Sequence, residues 1–199
     1  MDRHWEPNEV RRHLRGLCLP GHAALARPFD LVADRRRWSV ASDGRMMLAV
    51  EALHYADSRL RPADRTAVKT WLKPPAAPTF ELSLQLLRSW CGRAARWLNL
   101  VCSCGGKIGD GCSDCRGRGT LKKLADEPEN VAIGGLVFDR TRLAKLIEPF
   151  RDKQALKVFV QAKDKPLVVD GVSWRAVLMP VNMDPEKKMP SLEAAIRGR

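Results

Sequence analysis

The chain is 199 residues long and carries 35 Lys and Arg against 23 Asp and Glu, a net charge of +12. That length holds one large domain, or one domain plus an insertion, and the positive field selects polyanions, above all nucleic acid, as partners. No apolar run approaches the roughly 18 residues of a membrane span, and the charged opening Met1-Asp2-Arg3-His4-Trp5-Glu6 has no signal-peptide core, so a cytoplasmic protein without membrane partners is expected.

Helical spacing of Val10, Leu14 and Leu17 predicts a first helix over Pro7 to Leu17, with Arg11, Arg12 and Arg15 on its other side. The period then changes to two. Phe29 to Ala33, Trp38 to Ser42 and Arg45 to Ala52 read as a three-stranded meander, with Asp34-Arg35-Arg36 and Asp43-Gly44 as its turns. Asp64 to Leu72 reads as a short helix, and Lys73 to Pro78 as a stiff linker. A long helix is predicted from Thr79 to Leu98, striped by Leu82, Leu86, Leu87, Trp90, Ala94, Trp97 and Leu98. Cys18 and Cys91 read as small apolar residues.

Cys102, Cys104, Cys112 and Cys115 follow, spaced C-x-C and then C-x-x-C, with glycines between the pairs. Four thiolates on two short arms suit a tetrahedral, structural zinc ion, Zn2+. Two local disulfides are the competing reading, disfavoured where thiols stay reduced. Arg116, Arg118, Lys122 and Lys123 form a basic arm beside this knuckle.

Val131 to Phe138 is predicted as a strand, Asp139 as an N-cap and Thr141 to Phe150 as a helix. Leu156 to Val160, Pro166 to Val169 and Trp174 to Pro180 make a second meander. Two halves of one plan, β-α-β-β-β, therefore give an α+β class, with a strand near Trp5 completing the first. The expected division is 1–56, first half; 57–130, insertion with linker, long helix and knuckle; 131–183, second half; 184–199, tail. His4, His13, His22 and His54 are scattered, and no Walker loop is present, so no catalytic constellation emerges. A four-cysteine zinc site has no open position for catalysis. A binding protein rather than an enzyme is expected.

Leu31 to Glu51, with W-S-V-A-S-D-G-R-M-M-L-A over Trp38 to Ala49, resembles the V-A-T-D-G-x-R-L-A hairpin of the bacterial DNA polymerase sliding clamp, the beta subunit. Phe138 to Ile147 resembles that family's F-N-x-x-Y-L-L-x-A-L helix entry. Pro166 to Gly171 and Val177 to Met183 are similar to its closing hairpin and its C-terminal M-P-M-R-L. The resemblance covers roughly 5–55 and 131–183. It implies one clamp-like domain where clamps carry three, so a ring would require six copies as a homo-oligomer. The zinc-knuckle insertion has no counterpart in the family pattern, and a phage-encoded or mobile-element protein would suit such a reduced form.

For function, the resemblance implies a DNA replication or DNA-associated factor without enzymatic activity. It would bind double-stranded DNA without sequence specificity, and tether or divert replication and repair proteins. The implied phosphate contacts are Arg11, Arg12, Arg15, Arg140, Arg142 and Lys145, with the basic arm as a second candidate. The implied partner-peptide groove is Leu178, Met179, Pro180, Val181 and Met183. The alternative is a zinc-knuckle adaptor that binds RNA or a protein.

Overall fold

The computed structural model describes residues 5–22, 25–51, 53–56, 60–73, 77–92, 97–102, 104–105, 109, 112, 115, 118–124, 130–151, 155–161, 165–181 and 191–197. Helix α1 (Pro7–Leu17) starts at Pro7, whose missing N–H costs nothing in a first turn, and buries Val10, Leu14 and Leu17. Strands β1 (Phe29–Ala33), β2 (Arg36–Ser42) and β3 (Met46–Glu51) form the first meander. Its first turn is tighter than the sequence suggests. Asp34 and Arg35 alone make it, at φ 51° and 59°, and Arg36 already pairs with Ala33.

Helix α2 (Pro62–Trp71) follows, then strand β4 (Phe80–Ser83) and helix α3 (Leu84–Gly92). The predicted long helix is thus divided. Phe80-Glu81-Leu82-Ser83 alternates, and it adds an edge strand in which Glu81 faces Lys157 and Leu82 faces Leu156. Cross-strand pairing of this kind outweighs helix propensity. Trp97 and Leu98 belong to strand β5 (Trp97–Val101), which pairs with β6 (Thr120–Leu124). The predicted strand at 131–138 is also divided, into β7 (Asn130–Ile133) and β8 (Leu136–Asp139). Gly134 and Gly135, at φ 59° and 75°, turn the chain between them. A Cβ on Gly134 would lie 2.5 Å from Val160 Cγ1, so glycine is required there twice over.

Helix α4 (Arg140–Ile147) is capped by Asp139, whose carboxylate accepts from the Arg142 N–H at 3.0 Å. Strands β9 (Ala155–Phe159), β10 (Leu167–Asp170) and β11 (Trp174–Leu178) form the second meander. Helix α5 (Leu192–Arg197) follows.

One seven-stranded antiparallel sheet runs β1-β2-β3-β11-β10-β9-β4. The last strands of the two meanders pair at the junction, with Leu48 opposite Ala176, so the halves are related by an approximate two-fold axis. The architecture is the expected α+β pseudo-repeat, although the described residues include no first strand near Trp5. Trp5 is nonetheless buried and donates to Ser173 Oγ at 2.9 Å.

Both faces of the sheet are covered. On one, α1, α3 and α4 pack over Leu48, Val50, Val169, Trp174 and Ala176. On the other, α2 inserts Val68 and Leu72 among Trp38, Val40, Met47 and Val177. Each such side chain contributes about 1.5–3 kcal/mol by leaving water. The 57–130 stretch is therefore not wholly an appendage: α2, β4 and α3 build the body, and the β5–β6 hairpin forms its own sheet. Nor is 184–199 wholly a tail. Leu192 is fully buried in the main core, and Glu193 accepts from the Gly134 N–H.

Candidate metal centre and nucleic-acid interface

The four cysteines converge at the loop end of the β5–β6 hairpin, whose last pair is Val101 with Thr120. Two local turns shape the arms: Gly105 N–H donates to Cys102 O at 2.9 Å, and Arg118 N–H to Cys115 O at 3.1 Å. Cys102 N–H donates to Gly119 O at 3.0 Å and joins the arms. All four Sγ atoms lie within 4.8 Å of one another. Cys102 and Cys112 are 3.7 Å apart at sulfur, and Cys104 and Cys115 3.8 Å. A tetrahedron with metal–sulfur bonds of about 2.3 Å has edges of about 3.8 Å, whereas a disulfide requires about 2.05 Å. The donor set thus fits one metal ion, and none of the six cysteines is in a disulfide. Cys102 and Cys115 are buried, so their sulfurs need a charge-neutralising partner to be thiolates.

Cys18 and Cys91 behave differently. Cys18 donates to Leu14 O at 3.4 Å, and burial raises its pKa. Cys91 is buried and its pKa is pushed up to about 12, mainly by desolvation. Cys91 is part of the apolar core and Cys18 packs against it, as small apolar residues do.

Helices α1 and α4 lie side by side and antiparallel. Lys145 Nζ donates to Gly16 O at 3.3 Å, His13 Nδ1 lies 3.7 Å from Glu148, and Arg151 lies 3.7 Å from Glu9. Of the predicted phosphate contacts, Arg11, Arg12, Arg15 and Lys145 are exposed on these helices. Arg11 also donates to Leu53 O at 2.7 Å, which fixes its direction. Arg140 and Arg142 depart from the expectation. Arg140 is only 3% exposed, donates to Cys91 O at 3.3 Å and sits 5.9 Å from the Trp90 ring centre. It satisfies a carbonyl at the end of α3, where helical carbonyls lack partners. Arg142 is half-buried between Asp139 and Asp43, at 3.0 and 3.5 Å. In the basic arm, Arg118 is exposed and donates to Cys115 O at 3.1 Å. Lys122 and Lys123 lie on β6 opposite Asn99 and Leu98, and Arg116 falls outside the described residues.

His13 has its Nε2 buried without a hydrogen-bond partner. Desolvation lowers its pKa, partly offset by Glu148. The unfolded chain takes up a proton near pH 6.5 and the folded one only at lower pH. Stability is therefore full above pH 6.5 and lost as pH falls from there through the folded value. The urea midpoint is expected to drop between pH 7.5 and pH 5, and His13→Phe to flatten that drop. An unchanged pH dependence in the variant contradicts this role.

The predicted peptide groove is altered. Leu178 is 1% exposed and belongs to the core. Met179, Pro180 and Val181 are half-buried. Met179 N–H donates to Arg45 O at 2.9 Å and Val181 N–H to Val137 O at 2.8 Å, so this segment runs from β3 to β8. Met183 falls outside the described residues. Elsewhere, a cleft of about 440 Å³ is lined by Leu84, Gln85, Arg88, Ser89 and Arg151. Its Arg88 is turned onto the carbonyls of Ile147, Glu148 and Phe150. Among the described residues, no carboxylate, histidine or cysteine lines it.

No protein-family model matches the chain, and no curated protein matches it in sequence. Solved structures do match. A protein assigned as a DNA polymerase III beta subunit from Eubacterium rectale is 11% identical, with a TM-score of 0.52 over 92% of this chain and 65% of its own. The DNA polymerase sliding clamp of Bacillus subtilis is 11% identical, with a TM-score of 0.50 over 89% of this chain and 62% of its own. That of Pseudomonas aeruginosa is 7% identical, with a TM-score of 0.51 over 91% of this chain and 64% of its own. The chain has a clamp-like fold and spans just under two thirds of the length of the clamps it matches.

Proposed function

We propose that this protein is a non-enzymatic, clamp-like factor that binds duplex DNA through phosphates, without reading sequence. The observation that carries the reading is the exposure of Arg11, Arg12, Arg15 and Lys145 on the paired helices α1 and α4 of a clamp-like body. In this reading zinc fills the four-cysteine site as a structural ion, held by Cys102, Cys104, Cys112 and Cys115. It supplies charge neutralisation and loop closure and leaves no coordination position for substrate. Met179, Pro180 and Val181 are the proposed contact for replication or repair proteins. Four phosphate contacts release counterions with a slope of log affinity against log salt of about −3.6, which is about a 150-fold loss between about 50 and about 200 mM salt. Fluorescence titration with two duplexes of unrelated sequence checks this. Equal affinities and that salt loss are expected; no binding at low salt sinks the reading.

A second reading, the zinc-knuckle adaptor for RNA or protein, is favoured by one observation. The knuckle crowns a two-stranded sheet separate from the main one, with Arg118 exposed beside it.

A further inference from the structure

Helix α2 lies on the face of the sheet opposite α1 and α4, where its apolar side covers the second core cluster. Arg65 and Lys69 lie four residues apart on it, with Arg61 at its N-cap and Lys73 two residues past its last turn, and all four are exposed. At about 100° and 1.5 Å per residue, that spacing turns only about 40° and places Arg65 and Lys69 about 6 Å apart on one flank. Asp64 is the acidic residue of this helix, and it pairs with Arg61 at 2.8 Å. Arg65, Lys69 and Lys73 are the further cations of this flank. The helix is firmly seated. Val68 and Leu72 are buried, and Leu72 O accepts from Arg175, whose guanidinium lies 5.1 Å from the Trp38 ring centre and is held by Asp170 at 2.7 Å.

We propose that this flank of α2 is a second nucleic-acid contact, taking a phosphate backbone by charge alone, so that one protein molecule bridges two nucleic-acid segments. A linear row of cations matches the regular line of charge along a nucleic acid strand, and it carries no base-reading geometry. The seven-stranded sheet separates the α1–α4 face from α2, so one straight segment cannot occupy both. Bridging rests on the DNA reading of α1 and α4.

The test is a capture assay. A duplex immobilised on beads is loaded with protein, washed, and challenged with a fluorescent duplex of unrelated sequence. The native protein is expected to load and then capture. Arg65→Glu/Lys69→Glu is expected to load within about threefold of native yet to capture at least about tenfold less, because reversing two contacts removes about 1.8 from the salt slope and adds repulsion. Its melting temperature and light-scattering mass are expected to match native, since both residues are exposed and capture must not arise from self-association. Arg12→Glu/Arg15→Glu is expected to weaken binding on the α1–α4 face and leave α2 unchanged. Undiminished capture by Arg65→Glu/Lys69→Glu overturns the proposal. So does native protein that loads but captures nothing, which marks the flank as solvated or as a site for an acidic protein. Failure of native protein to load at all overturns both readings together.

Discussion

Replacing Cys112 and Cys115 with serine is expected to take the protein from about one zinc ion per chain to none. The variant removes one sulfur from each close pair, Cys102 with Cys112 and Cys104 with Cys115, so no three-thiolate remnant survives. Structural zinc sites contribute about 10–16 kcal/mol of apparent binding free energy in small zinc-finger peptides, while an isolated two-stranded hairpin is marginal in water. Among the described residues the β5–β6 hairpin is joined to no other sheet, so in the zinc reading its order would rest heavily on the ion. Amide exchange across 97–124 should accelerate by orders of magnitude, while the seven-stranded body keeps its protection and melting temperature. Metal analysis and exchange mass spectrometry check this together. Zinc retained by the double variant contradicts the site. The same variant separates the two functional readings: duplex binding survives if the helices carry it and is lost if the knuckle does.

Trp174→Ala is expected to destabilise the body by about 3–5 kcal/mol, the range for a fully buried aromatic truncated to alanine. Trp174 is 0% exposed, stands opposite Val50 at the junction of the two meanders, and stacks on Phe150 at 4.1 Å between ring centres with planes 6° apart. Stacking adds about 0.5–1.5 kcal/mol beyond area burial. Domains of this kind hold about 5–15 kcal/mol in total, so the loss should move the denaturant midpoint by about a fifth or more of its native value. Trp71→Ala, at a half-buried position beside the second cluster, should cost well under half as much. Equal effects of the two substitutions contradict a shared core at the junction.

Most elements with a clean period were legible in sequence. Pro7–Leu17 matches its prediction residue for residue, and the strands at 29–33, 36–42, 46–51, 155–159, 167–170 and 174–178 lie within two residues of theirs. What was illegible has physical causes. Four alternating residues at Phe80 can join either a helix or a strand, and only the partner strand at 155–159 decides between them. Gly134-Gly135 interrupts a hydrophobic run in a way that a strand with one weak point also would. The basic residues were read least well, for a single reason. Unpaired carbonyls at helix C-termini demand donors, and this chain supplies cations from neighbouring elements. Arg175 serves α2, Arg140 serves α3 and Arg88 serves α4, while Lys145 reaches α1 and stays exposed. Such pairs join residues from 49 to 129 positions apart, so a helical wheel cannot tell them from a ligand-binding face. The cysteine cluster was legible because its four cysteines lie within one short stretch, and metal-site spacing is local.

The salt dependence of duplex affinity, measured for the native protein beside Arg12→Glu/Arg15→Glu, tests the DNA reading most directly. Both arginines are exposed on α1, outside the buried stripe of Val10, Leu14 and Leu17, so the substitutions leave the core intact. A phosphate-binding helix face gives a native slope of about −3.6 that falls to about −1.8 in the variant, with weaker binding at every salt concentration and for every sequence. Identical slopes and affinities for the two proteins would contradict it.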